Sequence, residues 1–219
     1  MVISYNNDCF EQVIKCERKA ITEDIEGRYL LKVKLNNDFP DTLTIAMMNP
    51  SKADENCSDD TVNKVIEFVY RKNSCKKSLI RNIGYIYIVN IFPAYEPNSG
   101  NVQEKLEGII SEGKLDMMQQ RNKIAFEDAL SESQKVILAW GDVPNKVKAK
   151  IHNHEAIMMY ELLVQYGLKD NSYLFKYEEY SQILTNKKRP RHPSWNTPEN
   201  YVHINDIWVS RNFLYIHLQ

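Results

Sequence analysis

LTIAMMNPSKAD (43–54) decides the reading of this chain: a run from Leu43 to Met48 that is apolar but for Thr44, then Asn49 and Pro50, where the run stops. Apolar character without alternation marks a strand covered on both faces, as in the parallel sheets of α/β proteins. Two further runs repeat the pattern. YIYIVNIF (85–92) ends at Pro93, and KVILAW (135–140) ends at Gly141. Between and around them the periodicity turns helical: Val62, Val65, Ile66 and Val69 predict a helix through about Tyr70 capped by Asp59 or Asp60, a helical pattern covers Val102 to Leu130, and another covers Val143 to Tyr166. RYLLKVKL (28–35) and SYLFKY (172–177) read as further strands, and YVHINDIWVSRNFLYIHL (201–218) as a final helix or strand.

Strand and helix alternate, which predicts an α/β fold. The expected form is a three-layer α/β/α sandwich around a central, mostly parallel sheet of four or five strands, with 1–219 as a single domain. In such a sheet the ligand crevice lies at the carboxyl ends of the strands. Asn49-Pro50-Ser51, Asn90-Ile91-Phe92-Pro93 and Trp140-Gly141 all fall there.

Bulk properties narrow the function classes. A length of 219 residues suits one α/β domain, and 43% hydrophobic with 26% charged residues argues against disorder. The opening MVISYNNDCFEQVIKCERK lacks the apolar core of a signal peptide, so a cytoplasmic location is expected, with no membrane partner. Cys9, Cys16, Cys57 and Cys75 show no CxxC and no His at zinc-ligand spacing; small buried apolar residues are expected, and neither a metal nor any other cofactor. A formal net charge of -1 means that any attraction to nucleic acid must come from local clusters. Three exist: Arg71, Lys72, Lys76, Lys77 and Arg81; Lys146, Lys148 and Lys150; and Lys187, Lys188, Arg189 and Arg191. A solvated surface explains the first two about as well.

NPSKAD (49–54), NIF (90–92), AWG (139–141) and PRHP (190–193) resemble, in this order, the motifs of an uncharacterised domain family of bacteria and phages. More informatively, IAMMNPS (45–51), YIVN (87–90), ILAWG (137–141) and HPS (192–194) resemble the four elements of the uracil-DNA glycosylase superfamily. That resemblance implies a uracil-DNA glycosylase-like fold and an N-glycosylase acting on DNA as a monomer. Asn49 would position the attacking water, Asn90 would read the Watson–Crick edge of an extruded pyrimidine, and His192 would hydrogen-bond the leaving base. Met48, Pro50 and Ser51 would line the pocket, with Phe92 stacking on the base and Asp60 nearby. Ser194 would bond a backbone phosphate, Lys187, Lys188, Arg189 and Arg191 would attract the strand, and Trp195 would wedge or stack.

One departure carries information. The uracil-specific branch has a Tyr after its Asp-Pro that blocks substituents on C5 of the base, and this chain has Ser51. A pocket with room for thymine or a C5-modified pyrimidine, such as those of phage DNA, follows, and with it a role in antiviral defence. The residues also have plainer uses: Asn49 in an Asx turn before Pro50, Asn90 in a strand-end turn, His192 at the surface, Phe92 and Trp140 in the core, Asp60 in a helix cap. A nucleic-acid or nucleotide binding module of the same fold and a nucleoside or nucleotide hydrolase are the competing readings.

Overall fold

The computed structural model of the chain describes residues 3–50, 52–96, 101–144, 147–194 and 196–218. The first two of the three apolar runs read as buried strands form β3 (Asp41–Met47) and β4 (Ile83–Asn90), parallel neighbours in register from Thr42↔Tyr85 to Met47↔Asn90. β5 (Lys135–Leu138) pairs parallel to β3 on its other side, and β6 (Ser172–Lys176) parallel to β5. Antiparallel strands extend this parallel core. β2 (Glu26–Leu35) pairs with β4 and β1 (Phe10–Ala20) with β2, while β7 (Asn200–His203) pairs with β6. The sheet thus has seven strands in the order β1-β2-β4-β3-β5-β6-β7, more than the four or five expected, and only its four central strands are mutually parallel.

Both faces are covered, which is why β3, β4 and β5 are predominantly apolar and the buried Thr44 of β3 meets a partner in Ser133. α1 (Asp60–Asn73) buries Val62, Val65, Ile66, Phe68 and Val69 against Leu43, Ile45, Ile86 and Ile88. Asp59 caps it by accepting from the Val62 amide at 2.9 Å. On the opposite face lie α2 (Val102–Ser111), α3 (Leu115–Ser131) and α4 (Ala149–Gln165), packed on Ala46, Val89, Val136 and Leu138. The expected single helical stretch from 102 to 130 is broken because Gly113 takes φ +65, letting the Lys114 amide turn back onto the Ile109 carbonyl at 2.9 Å. α4 starts later than expected, since Lys148 is still extended.

The tail is neither a helix nor one strand. After β7, the chain forms a hairpin of β8 (Asp206–Ser210) and β9 (Phe213–His217), turned at Arg211 and Asn212 with φ 48 and 58, the two positive values a tight type I′ turn demands. Its Ile207 and Leu214 join the core over α4. At the other end, β1 is an edge strand broken by three register shifts and studded with Lys15, Arg18 and Lys19, features that keep an edge from pairing further. No helix among the described residues is long and apolar enough to cross a membrane.

Candidate functional site at the carboxyl edge of the sheet

Chain order and spatial order diverge around β3. From it the chain passes to β4 on one side and later to β5 on the other, so connections leave in opposite directions at the carboxyl ends of β3 and β5, the switch point at which sheets of this kind form their ligand crevice. The peptides after those strands are the ones that carry the motifs. Ala139 donates to the Ala46 carbonyl at 2.8 Å, and Ile91 and Phe92 donate to Met47 and Met48 at 2.9 and 2.8 Å, so all three strand ends stay zipped up to the crevice.

The 49–54 loop is held from several directions. Asn49 Nδ2 donates to the Glu96 carbonyl, and the Glu96 amide returns a bond to the Pro50 carbonyl at 3.2 Å. A carbonyl can only accept, so this bond identifies the amide nitrogen and leaves Oδ1 as the acceptor able to orient a water. Further on, the Ala53 amide donates to Asp59 Oδ2 at 3.2 Å, and Ala53 accepts from the buried guanidinium of Arg28 at 2.5 Å. Burial lowers the Arg28 pKa, and the Asp59 carboxylate is the main group opposing that shift. Arg18 holds Asp54 at 3.1 Å. Arginine and carboxylate thus lock the loop to β2 and to the start of α1.

His192 reaches the same edge from residue 190 onward. Gly141 takes φ +77, and its amide donates to the Pro190 carbonyl at 2.8 Å. A Cβ added at Gly141 would lie 3.1 Å from the His192 Cβ, so only glycine lets the loop sit this close to β5. His192 Nδ1 accepts the Ser194 amide at 3.1 Å. An accepting Nδ1 puts the proton of a neutral ring on Nε2, ready to donate. Although His192 is half-buried by surface area, its surroundings desolvate it enough to bring its pKa down to about 4, with Asp59 opposing, so the ring is neutral near pH 7. Asn49 and His192 therefore belong to one edge of the sheet.

Asn90 ends β4 fully buried, with neither amide atom hydrogen-bonded. Alternation along the strand places it on the face of Ile86 and Ile88, toward α1. Its carbonyl is taken instead: Asn122 Nδ2 of α3 donates to the carbonyls of Asn90 and Ile91 at 3.0 and 3.1 Å. Behind Asn122 stands Glu155 of α4, buried and accepting from Gln119; burial pushes its pKa up to about 7, against hydrogen bonds from Gln119 and Asn122. One turn earlier, His152 is fully buried, with no partner at either ring nitrogen, and lies edge-on to Phe92 with centroids 6.1 Å apart. Burial first and Arg189 second lower its pKa to about 3.

The remaining expectations divide. Met48 and Pro50 are buried beside the crevice, and Phe92 and Trp140 are buried completely. Ser194 is exposed, its amide engaged by His192. Lys187 and Lys188 are exposed, as a phosphate contact requires. Arg189 is not available in that way: it is 4% exposed, donates to Asn153 at 2.5 Å and lies 4.2 Å over the Phe213 ring, so it anchors the loop to α4 and the tail hairpin. Arg191 likewise donates to the Gln182 and Leu184 carbonyls at 3.1 Å each and stacks 3.7 Å from the Tyr180 centroid. Asp60 is no pocket residue either, for its exposed carboxylate pairs with Lys64 at 2.5 Å. Ser51 and Trp195 lie outside the described residues. All four cysteines are free, but only Cys9 is buried, and Cys75 is exposed.

Arg28, Asn122, His152 and Glu155 escaped the sequence reading. For the two α4 residues the signal was present: His152, Glu155, Ala156, Met159 and Leu163 recur at helical spacing, so a His and a Glu occupy the apolar stripe.

The profile of the family described as "Protein of unknown function (DUF1643)" matches residues 28–194, from the start of β2 to the His-Pro-Ser loop. No curated protein and no solved structure matches the chain.

Proposed function

From the premise that the chain belongs to this family, whose matched span contains every motif at the crevice, we propose that it is a DNA glycosylase that extrudes a C5-substituted or mismatched pyrimidine and hydrolyses its N-glycosidic bond. The observation that carries the reading is Asn90. A buried amide with both donor and acceptor unmet costs about 1–3 kcal/mol, and the Watson–Crick edge of a pyrimidine presents the complementary pair.

The other groups fit the same chemistry. As the bond to the sugar breaks, negative charge develops on the base, and a neutral His192 donating from Nε2 toward a base oxygen stabilises it. Asn49, its nitrogen tied to Glu96, orients a water through Oδ1 toward the sugar carbon, which carries developing positive charge. The water oxygen bonds to that carbon, its proton passes to solvent, and the base leaves with the bonding electrons. With Ser51 in place of a blocking Tyr, the reading favours bases enlarged at C5 over plain uracil. Defence against phages with modified DNA is the setting in which that choice has use.

A specific observation favours one alternative, a binding module of the same fold: the Asn49 nitrogen serves as a latch for the 96 carbonyl, a structural task that needs no chemistry. Duplexes carrying uracil, mismatched thymine or 5-hydroxymethylcytosine separate the two, with alkali-labile abasic sites as readout. Product from a 5-substituted or mismatched duplex, reduced at least 100-fold in His192→Ala and Asn49→Ala of unchanged circular dichroism, is the expected result. Retained DNA binding with no product from any duplex would establish the module instead.

A further inference from the structure

At the amino edge of the sheet, remote from the crevice, Lys76, Lys77, Arg81, Lys135 and Asp41 surround a cavity of about 400 Å³. That volume falls in the range of small-molecule sites. Two separate parts of the sequence meet in it: the loop between α1 and β4 supplies three cations, and the first residue of β5 supplies the fourth. The single carboxylate, Asp41, sits 3.7 Å from Lys135. Among the described residues no carboxylate pairs with Lys76, Lys77 or Arg81, so the positive charge is left facing the cavity.

The cation-bearing loop is built rather than loose. Asn73 at the end of α1 exchanges two 2.8 Å bonds with the Ile83 backbone. Ser78 is buried, its hydroxyl bonded to the Ile80 carbonyl at 2.7 Å and to the Tyr201 hydroxyl at 3.1 Å, and Tyr201 also accepts the Leu79 amide. Asn82, held at φ 61, accepts the Asp41 amide at 3.0 Å, and Arg81 Nη1 reaches back to the Lys76 carbonyl at 3.0 Å. Four anchors thus fix the loop against α1, β3 and β7, so its charges are pre-arranged and lose little freedom on meeting a ligand.

We propose that this cavity is a second binding site, for a small ligand carrying two or more phosphate groups. The cations converge on one concavity, whereas a surface that follows a nucleic-acid backbone strings them in a stripe. The cavity also lies a strand's length, about 20 Å, from the crevice, at the opposite ends of β3 and β5. The inference stands apart from the glycosylase reading and survives its failure.

Calorimetric titration with pyrophosphate and with orthophosphate, at about 0.15 M salt to screen diffuse attraction, tests it. Pyrophosphate should bind at one site, more tightly than orthophosphate, and its affinity should fall at least tenfold in the double variant Lys76→Gln/Lys77→Gln, whose side chains make none of the bonds that anchor the loop. Both side chains are exposed, so the fold is retained, and circular dichroism checks this. Absence of pyrophosphate binding, or equal binding by the variant, overturns the proposal. So does loss of affinity for a short DNA duplex in the variant without any pyrophosphate effect, which would make the patch a nucleic-acid surface.

Discussion

The two edges of the sheet treat the same polar chemistry in opposite ways. At the amino edge, Asn73 is matched donor for acceptor by Ile83, Gln134 accepts the Thr42 amide at 2.7 Å, and the Thr44 and Ser133 hydroxyls meet at 2.7 Å. At the carboxyl edge, Asn90, His152 and Trp140 are fully buried, yet both amide atoms, both imidazole nitrogens and the indole nitrogen have no partner. Most buried polar groups in a native protein are paired. The difference therefore separates residues the fold uses for itself from residues it leaves unmet: groups kept dry and unpaired destabilise the free protein, and on the proposed reading they gain their partners from the extruded base.

Exchanging the two edges is the sharpest way to break this comparison. Asn90→Leu should lower product formation in the abasic-site assay by about 10²- to 10³-fold, the usual consequence of losing one pre-placed polar contact to the reacting group, while leaving the Tm unchanged or higher. Asn73→Ala should do the reverse, costing about 1–3 kcal/mol in denaturant unfolding without touching turnover. A large drop in Tm for Asn90→Leu would mean that its amide is structural after all, and the contrast would be lost.

A somewhat smaller effect concerns Glu155, the buried carboxyl beneath Asn122. Its folded-state pKa, about 7, lies above its ordinary 4.5, so the folded protein binds this proton more tightly than the unfolded chain. The resulting stabilisation is complete below about pH 4.5 and is lost as pH rises through 7, a change of roughly 3 kcal/mol across the window. Glu155→Gln keeps an acceptor for Gln119 and removes the titration. Its unfolding free energy, compared with that of the native protein from pH 5 to 8, should lack this decline and exceed the native value at pH 8. Parallel curves for the two proteins would show that Glu155 stays ionised throughout.

The smallest effect refines the crevice itself. Asp59 opposes the desolvation that lowers the His192 pKa, so Asp59→Asn, which keeps an oxygen for the Val62 amide, should move the imidazole pKa further below about 4. Nuclear magnetic resonance titration of the ring reads this directly. An unmoved or raised pKa would separate α1 electrostatically from the His192 loop.

The parts of the fold visible in the sequence are those with one strong period. β3, β4 and β5 were legible because doubly covered strands are predominantly apolar, and the Asp59 cap of α1 because a capping acid before a helical stripe is a local pattern. β1 was missed: an exposed edge strand written FEQVIKCERKA carries no continuous apolar signal. The tail resisted a choice between helix and strand because Arg211 and Asn212 turn without glycine or proline to mark them. At the site, Asn49, Asn90, Gly141 and His192 were legible from their positions at the ends of strands and in the His-Pro loop. The opposite fates of neighbouring basic residues were not. Lys187 and Arg189 look alike in sequence, but Phe213 and Asn153, distant along the chain, draw Arg189 inward.

Local pattern alone determined that this protein alternates strands and helices, that several strands are buried on both faces, and that asparagines, a glycine and a histidine stand where those strands stop. Hydrophobic period is a property of neighbours in sequence, and a period of this kind admits few arrangements. Tertiary structure alone decided that seven strands join the sheet, that Arg28 clamps the 49–54 loop, that a histidine is sealed beside Phe92, and that a glutamate is buried with Gln119. Pairing and desolvation depend on atoms contributed by remote segments, so the state of a polar side chain becomes definite only when those segments meet.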